Sequence, residues 1–170
     1  MKSMVTFIII CILVISTKVY AENTENTAEF TLPSGVDVKV VEGKFVKKLF
    51  KVAGCTVDGD VCLINNRIPF GVSFGLPKTY VKSISVSYKG KLHFLDVREM
   101  YNAWGTRPLQ VKGTIRYFGG KCSDSTNCEF RGVFSDASGT YVAEWRIVEG
   151  RQIRTVLTDS KDVVELFSTP

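Results

Sequence analysis

Apolar residues along most of this chain recur at every second position, a period that suits extended strands and not helices. Val36, Val38 and Val40 alternate with Asp37 and Lys39, which places the two sets on opposite faces of an extended segment. Further runs rich in β-branched and aromatic residues cover Phe45–Val52, Val61–Ile64, Ile68–Phe74, Thr79–Tyr88, Lys91–Asp96, Leu109–Phe118, Glu129–Ser135, Thr140–Val148 and Gln152–Thr158. Gly, Asn, Asp and Ser separate them. About ten short strands with such turns predict an all-β fold, an antiparallel sandwich or barrel.

Two segments depart from that period. Asp96 with Glu99 three residues on reads as a capped start, opening a helical turn through Met100, Tyr101, Asn102, Ala103 and Trp104 that Gly105 ends. Residues 160–167 (SKDVVELF) predict a short closing helix with Asp159 or Ser160 as its cap. Val163, Val164 and Phe167 would form its buried stripe; an edge strand is the competing reading. The fold therefore carries one or two short helices.

The beginning of the chain has a different task. Lys2 precedes an apolar stretch from Val5 to Ile15, and Val19 and Ala21 occupy the two positions that a signal peptidase reads. Residues 1–21 match a secretory signal peptide. The stretch is about half of the ~20 apolar residues that a membrane span needs. Residues 22–30 read as a flexible polar lead-in, and residues 31–170 as a single β-rich domain. Removing residues 1–21 from the 170 leaves 149, enough for one real core. The mature chain is expected to be soluble, in the periplasm or secreted, with no membrane span.

Cysteine usage agrees with export. Without Cys11 four remain, Cys55, Cys62, Cys122 and Cys128, and an even number in an exported chain reads as two disulfides. The local pairs Cys55–Cys62 and Cys122–Cys128 each close a short polar loop. A zinc site would want a Cys-x-x-Cys pair and more than one histidine, and His93 stands alone. No metal and no cofactor is expected.

The chain carries 22 basic and 17 acidic residues; the loss of Lys2 and Lys18 leaves a net of +3. No basic run exists, so nucleic acid is a poor partner. Glu-Gly or Lys-Gly occurs three times in a similar setting, at Val41–Lys44, Tyr88–Lys91 and Val148–Arg151. For the last, a three-residue loop would match Ile147 with Ile153, Trp145 with Thr155 and Ala143 with Leu157. The same argument pairs Val86 with Phe94. Both hairpins are thus expected to close with a glycine bulge.

Candidate chemistry is sparse. His93 lies opposite Leu92 and Phe94 on its strand, with no nucleophile in view. Asp58, Asp60 and Asp124 sit in the cysteine loops, where turn formation outweighs calcium binding or acid–base work. Glu99 fits a cap and Glu144 a solvated strand face. The basic residues are more suggestive. Arg146 and Arg154 would face each other across the last hairpin, with Arg116 and Arg131 on equivalent outward positions. Such a face is either a salt ladder satisfied by Glu129 and Glu144 or a surface for a carboxylate-bearing partner. Tyr101, Trp104 and Arg107, beside Met100, form a second candidate of the kind found at binding hot spots. The Phe74-Gly75-Leu76-Pro77 loop is apolar and is expected beside it.

Taken together, these residues predict no enzyme but an exported binding protein, an inhibitor or immunity-type protein that neutralises a protein partner bearing acidic groups. A carbohydrate or envelope-polymer module using Tyr101 and Trp104 is one alternative. A small hydrolase relying on carboxylates is the other.

Overall fold

The structure, a computed structural model, describes residues 25–55, 62–104, 117–135 and 139–168. Among the described residues ten strands follow in order: β1 (Asn26–Thr31), β2 (Asp37–Lys44), β3 (Val52–Ala53), β4 (Leu63–Ile64), β5 (Thr79–Tyr88), β6 (Lys91–Phe94), β7 (Phe118–Cys122), β8 (Cys128–Phe134), β9 (Tyr141–Val148) and β10 (Arg151–Thr158). Among the described residues one α-helix, α1 (Lys161–Ser168), follows β10. A four-stranded sheet in the order β1-β2-β5-β6 faces another in the order β10-β9-β8-β7, and β3 with β4 makes a small separate hairpin. All pairs of strands are antiparallel. This is the all-β sandwich that the period-two pattern predicts.

The alternation decides which residues meet between the sheets. Val38, Val40, Ile84 and Val86 come from the first sheet, and Phe130, Phe134, Tyr141, Trp145 and Ile147 from the second; all belong to one buried cluster. Phe118 stacks on Phe130 at 6.0 Å and meets Phe30 at 4.9 Å, tying the β1 edge to β7. Trp145 is fully buried and stacks on Phe130 at 5.7 Å. Such rings dominate the energetics of a small core. Outside the second sheet α1 packs on β8 and β9, so Val133 and Val142 are buried although they point away from the core. Val163, Val164 and Phe167 are half-buried, as the expected stripe requires.

Both disulfides have the expected partners, Cys55–Cys62 and Cys122–Cys128. The second joins directly paired residues at the end of the β7–β8 hairpin. Disulfides of this kind fit an oxidising compartment. Replacing Cys122 and Cys128 by Ser is expected to cost about 2–3 kcal/mol by the chain-entropy argument, read as a lower urea midpoint in the oxidised protein. Among the described residues no helix is long and apolar enough to cross a membrane.

Six expectations are corrected. Residues 26–30, assigned to the lead-in, are strand β1: Ala28 and Phe30 turn inward while Glu29 pairs with Lys39 at 2.6 Å. Val41–Lys44 is no turn. It continues β2, and Gly43 lies so close to Tyr80 that a Cβ there would come within 2.7 Å of the ring. The two remaining hairpins close with two-residue loops, Lys89-Gly90 and Glu149-Gly150, all four residues at positive φ. That is the turn whose twist matches paired strands. It sets Val86 against His93 and Ile147 against Gln152. An irregularity at Thr155 then restores the expected pairing of Ala143 with Leu157. Asn127 and Thr126 lock the second loop by accepting from the N–H groups of Glu149 and Gly150. No helix forms between Asp96 and Trp104, and Ile68–Phe74 contributes only an isolated bridge at Phe70. Phe45–Val52 is interrupted by a 3-10 turn at Lys47–Leu49. Leu109–Phe118 lies outside the described residues up to position 116.

Candidate functional site

The segment expected to be helical instead builds the wall of a cleft. Asp96 accepts from the Arg98 N–H at 3.1 Å and so begins a turn. Glu99 follows at φ +67° and Asn102 at φ +41°, conformations that cost a non-glycine residue free energy. Between them the backbone runs extended and is held on both sides. Phe70 N–H donates to Glu99 O at 2.8 Å, Tyr101 N–H to Phe70 O at 3.0 Å and Val81 N–H to Met100 O at 3.0 Å. Asn102 secures the far end, its Oδ1 accepting from the N–H groups of Lys78 and Thr79 and its Nδ2 donating to Gly71 O. Gly71 has no alternative here, because a Cβ would lie 2.0 Å from Tyr101 O.

Ion pairs hold this wall from beneath. Glu99 Oε2 accepts from Arg154 Nη2 at 2.7 Å, and Glu99 Oε1 from Arg67 Nη1. Arg154 also donates through Nη1 to Arg98 O. The side chains of Glu99 and Arg154 are only 11% and 13% exposed, so each carries a desolvation cost that its partner offsets. Hydrogen bonds from Arg98 hold Asp96 down at about 2, against an ordinary 3.8. A folded value below the unfolded one stabilises the fold above the usual carboxylate range, and that contribution fades as pH falls from about 4 toward 2. Asp96→Asn should flatten this acid limb of stability, measured as melting temperature against pH.

The cleft holds about 260 Å³ between Phe50, Ile64, Tyr80, Val97, Arg67 and Tyr101. Phe50, Tyr80 and Tyr101 are its aromatic lining, with Phe50 edge-on to Tyr80 at 5.3 Å, and Phe45, outside the lining, stacks on Phe50 at 4.4 Å. Burial raises the Tyr101 hydroxyl. Arg67 and Arg98 sit at the mouth with side chains 58% and 71% exposed. Lys51 is not itself in the lining but adjoins it, following Phe50 in sequence and exchanging hydrogen bonds of 3.0 and 2.7 Å with Asn65 through its backbone.

Glu42 lies deeper. It points inward from β2 beside Val81, is 3% exposed, and its Oε1 accepts from Thr79 Oγ1 at 2.7 Å and Ala103 N–H at 2.8 Å. Burial raises its pKa above the ordinary 4.5. The folded state thus binds the proton more tightly. The stability of the protonated form is fully present below the unfolded value and is lost as pH rises through the folded one. Glu42→Gln keeps the acceptor without the charge, so it should melt higher than the parent at neutral pH and level with it in acid. Glu42→Ala should cost about 1–3 kcal/mol, because Ala103 N–H loses its partner.

The residues singled out in the sequence separate into different places. Tyr101 lines the cleft but is 6% exposed, so its ring is no open stacking platform. Trp104 packs half-buried on the core, Met100 is buried, and Phe74 is exposed. Arg107 and Arg116 lie outside the described residues, as do Asp58 and Asp60. Arg146 and Arg154 do not face each other. The two-residue loop sets Arg154 against Trp145 and Arg146 against Ile153, on opposite faces of the sheet. Arg131 stands across from Glu144, and Arg146 across from Glu129. Lys121 approaches Glu129 at 3.4 Å, and Arg131 lies over the Phe167 ring at 5.2 Å. Opposite charges alternate there, as in a self-satisfied ladder.

His93 is buried, with Nε2 2.8 Å from Ser125 O, and takes no part in the cleft. Asp124 accepts from Thr126 and Asn127 within its own loop and is lowered to about 2; it is a turn former. Sequence reasoning missed Phe50, Tyr80, Arg67 and Glu42. Only Glu42 carried a local signal, since it continues the inward set of Val38 and Val40. No protein-family model, no curated protein and no solved structure matches the chain.

Proposed function

We propose that the protein is an exported, non-catalytic binding protein that captures and neutralises a protein partner, in the manner of an inhibitor or immunity protein of the periplasm or secreted space. The observation that carries this reading is the preformed aromatic cleft, whose wall is locked by Arg154, Glu99 and Arg67. A rigid site loses little conformational entropy on binding, and aromatic rings with arginine are the side chains that dominate protein interfaces. The two disulfides and the signal-like residues 1–21 support an exported location.

The test is titration of the purified mature chain into an envelope or secreted fraction, followed by identification of the captured protein. Saturable capture of one protein at fixed stoichiometry, with progressive loss of that protein's own activity, is the expected result. Turnover of a substrate by the purified chain, or capture that never saturates, would overturn it.

A further inference from the structure

Resting on that reading, we propose that the cleft receives an acidic segment of the partner, one bulky apolar side chain seated among Phe50, Tyr80 and Tyr101 with the flanking carboxylates on the basic rim. The cleft is complementary to such a segment in shape and charge. The cavity of about 260 Å³ has room for a large side chain. Its lining is apolar below and cationic above. Lys48 and Lys51 bracket Phe50 in sequence, and Arg67 and Arg98 stand at the mouth, all four exposed. The two acidic side chains of the wall, Asp96 and Glu99, are only 15% and 11% exposed and already engaged by arginines. Each of those arginines keeps further N–H donors beyond the bonds it makes, because a guanidinium has five. The described rim therefore offers net positive charge around an apolar hole.

Other occupants fit less well. A second copy would bring the same cationic rim against itself. A sugar polymer would want open rings, and Tyr101 is 6% exposed. Leu49 and Ile68, both 68% exposed, adjoin Phe50 and Arg67 in sequence. A bound peptide segment is expected to cover such exposed apolar side chains.

The probe is a short fluorescein-labelled peptide of alternating Asp and Glu with a central Phe, read by anisotropy against the full mature chain. A second peptide carries Ala at the centre, and polygalacturonate serves as a competing polyanion. The Phe peptide should bind about 10-fold more tightly than the Ala peptide. Arg67→Glu should weaken it by a similar factor, and Arg151→Glu, on β10, should leave it unchanged within about 2-fold. Because Arg67 also supports Glu99, Lys51→Glu provides a second variant at an exposed position, with near-ultraviolet circular dichroism to verify packing. No binding of the Phe peptide, equal affinity of both peptides, indifference to both charge reversals, or equal displacement by polygalacturonate would overturn the proposal. If a captured partner nevertheless saturates the parent protein, the binding function stands and only the assigned occupant falls.

Discussion

Trp145→Ala is expected to destabilise the domain by about 3–5 kcal/mol, the usual cost of truncating a fully buried aromatic side chain. The magnitude follows from its position. The indole is completely buried, stacks on Phe130 at 5.7 Å, and meets Phe134 edge-on at 6.2 Å. Its Nε1–H also donates to Asp96 O at 2.8 Å. Loss of the ring therefore opens a cavity between the sheets and frees the residue at which the cleft wall begins. The measurement is urea unfolding followed by far-ultraviolet circular dichroism, with Trp145→Phe losing less because it refills most of the space. A cost below about 1 kcal/mol for the alanine variant would contradict the packing described.

The second large effect is expected at Arg154. Arg154→Met keeps the aliphatic stem but removes the guanidinium from Glu99 and from the carbonyl of Arg98. A buried carboxylate left with a weaker set of partners costs about 3–5 kcal/mol, and Arg67 places the expected value at the lower end. The loss should couple to Glu99. In a double-mutant cycle with Glu99→Gln the two changes should cost clearly less together than their sum. Additive losses would mean that the ion pair does not hold the wall. Arg151→Glu, on the same strand but exposed, should stay within about 0.5 kcal/mol of the parent.

Arg154 also illustrates what could and could not be read in the sequence. The alternation of Val38 and Val40, and of Phe130, Trp145 and Ile147, foretold strands, faces and most of the core, because a period of two is a local property. The disulfide pairs were legible for the same reason, each closing a short loop. Register was not. One residue of loop length at Glu149-Gly150 decides whether Arg154 faces solvent with Arg146 or lies beneath Glu99. That choice depends on strand twist and on Asn127 and Thr126, which are distant in sequence from the turn.

The segment from Asp96 to Trp104 failed differently. Its capping pattern was genuine, since Asp96 does accept from Arg98 N–H. Bonds from Phe70, Thr79 and Val81 nevertheless pull the chain into an extended bridge, and tertiary pairing outweighs a single helical turn. The cleft could not be foreseen because Phe50, Arg67, Tyr80 and Glu99 come from segments far apart in sequence that only the tertiary fold brings together. Glu42 could have been: it is the third member of an inward series, and a carboxylate in that place calls for buried donors.

The proposed partner is expected to bind at the cleft and not on the charge ladder of the second sheet. Hydrogen–deuterium exchange of the mature chain, alone and saturated with its captured partner, tests this most directly. Binding should slow exchange in residues 47–53, 64–71 and 97–101 and leave residues 129–148 unchanged. Slowing confined to residues 129–148, with the cleft segments exchanging as in the free protein, would contradict it.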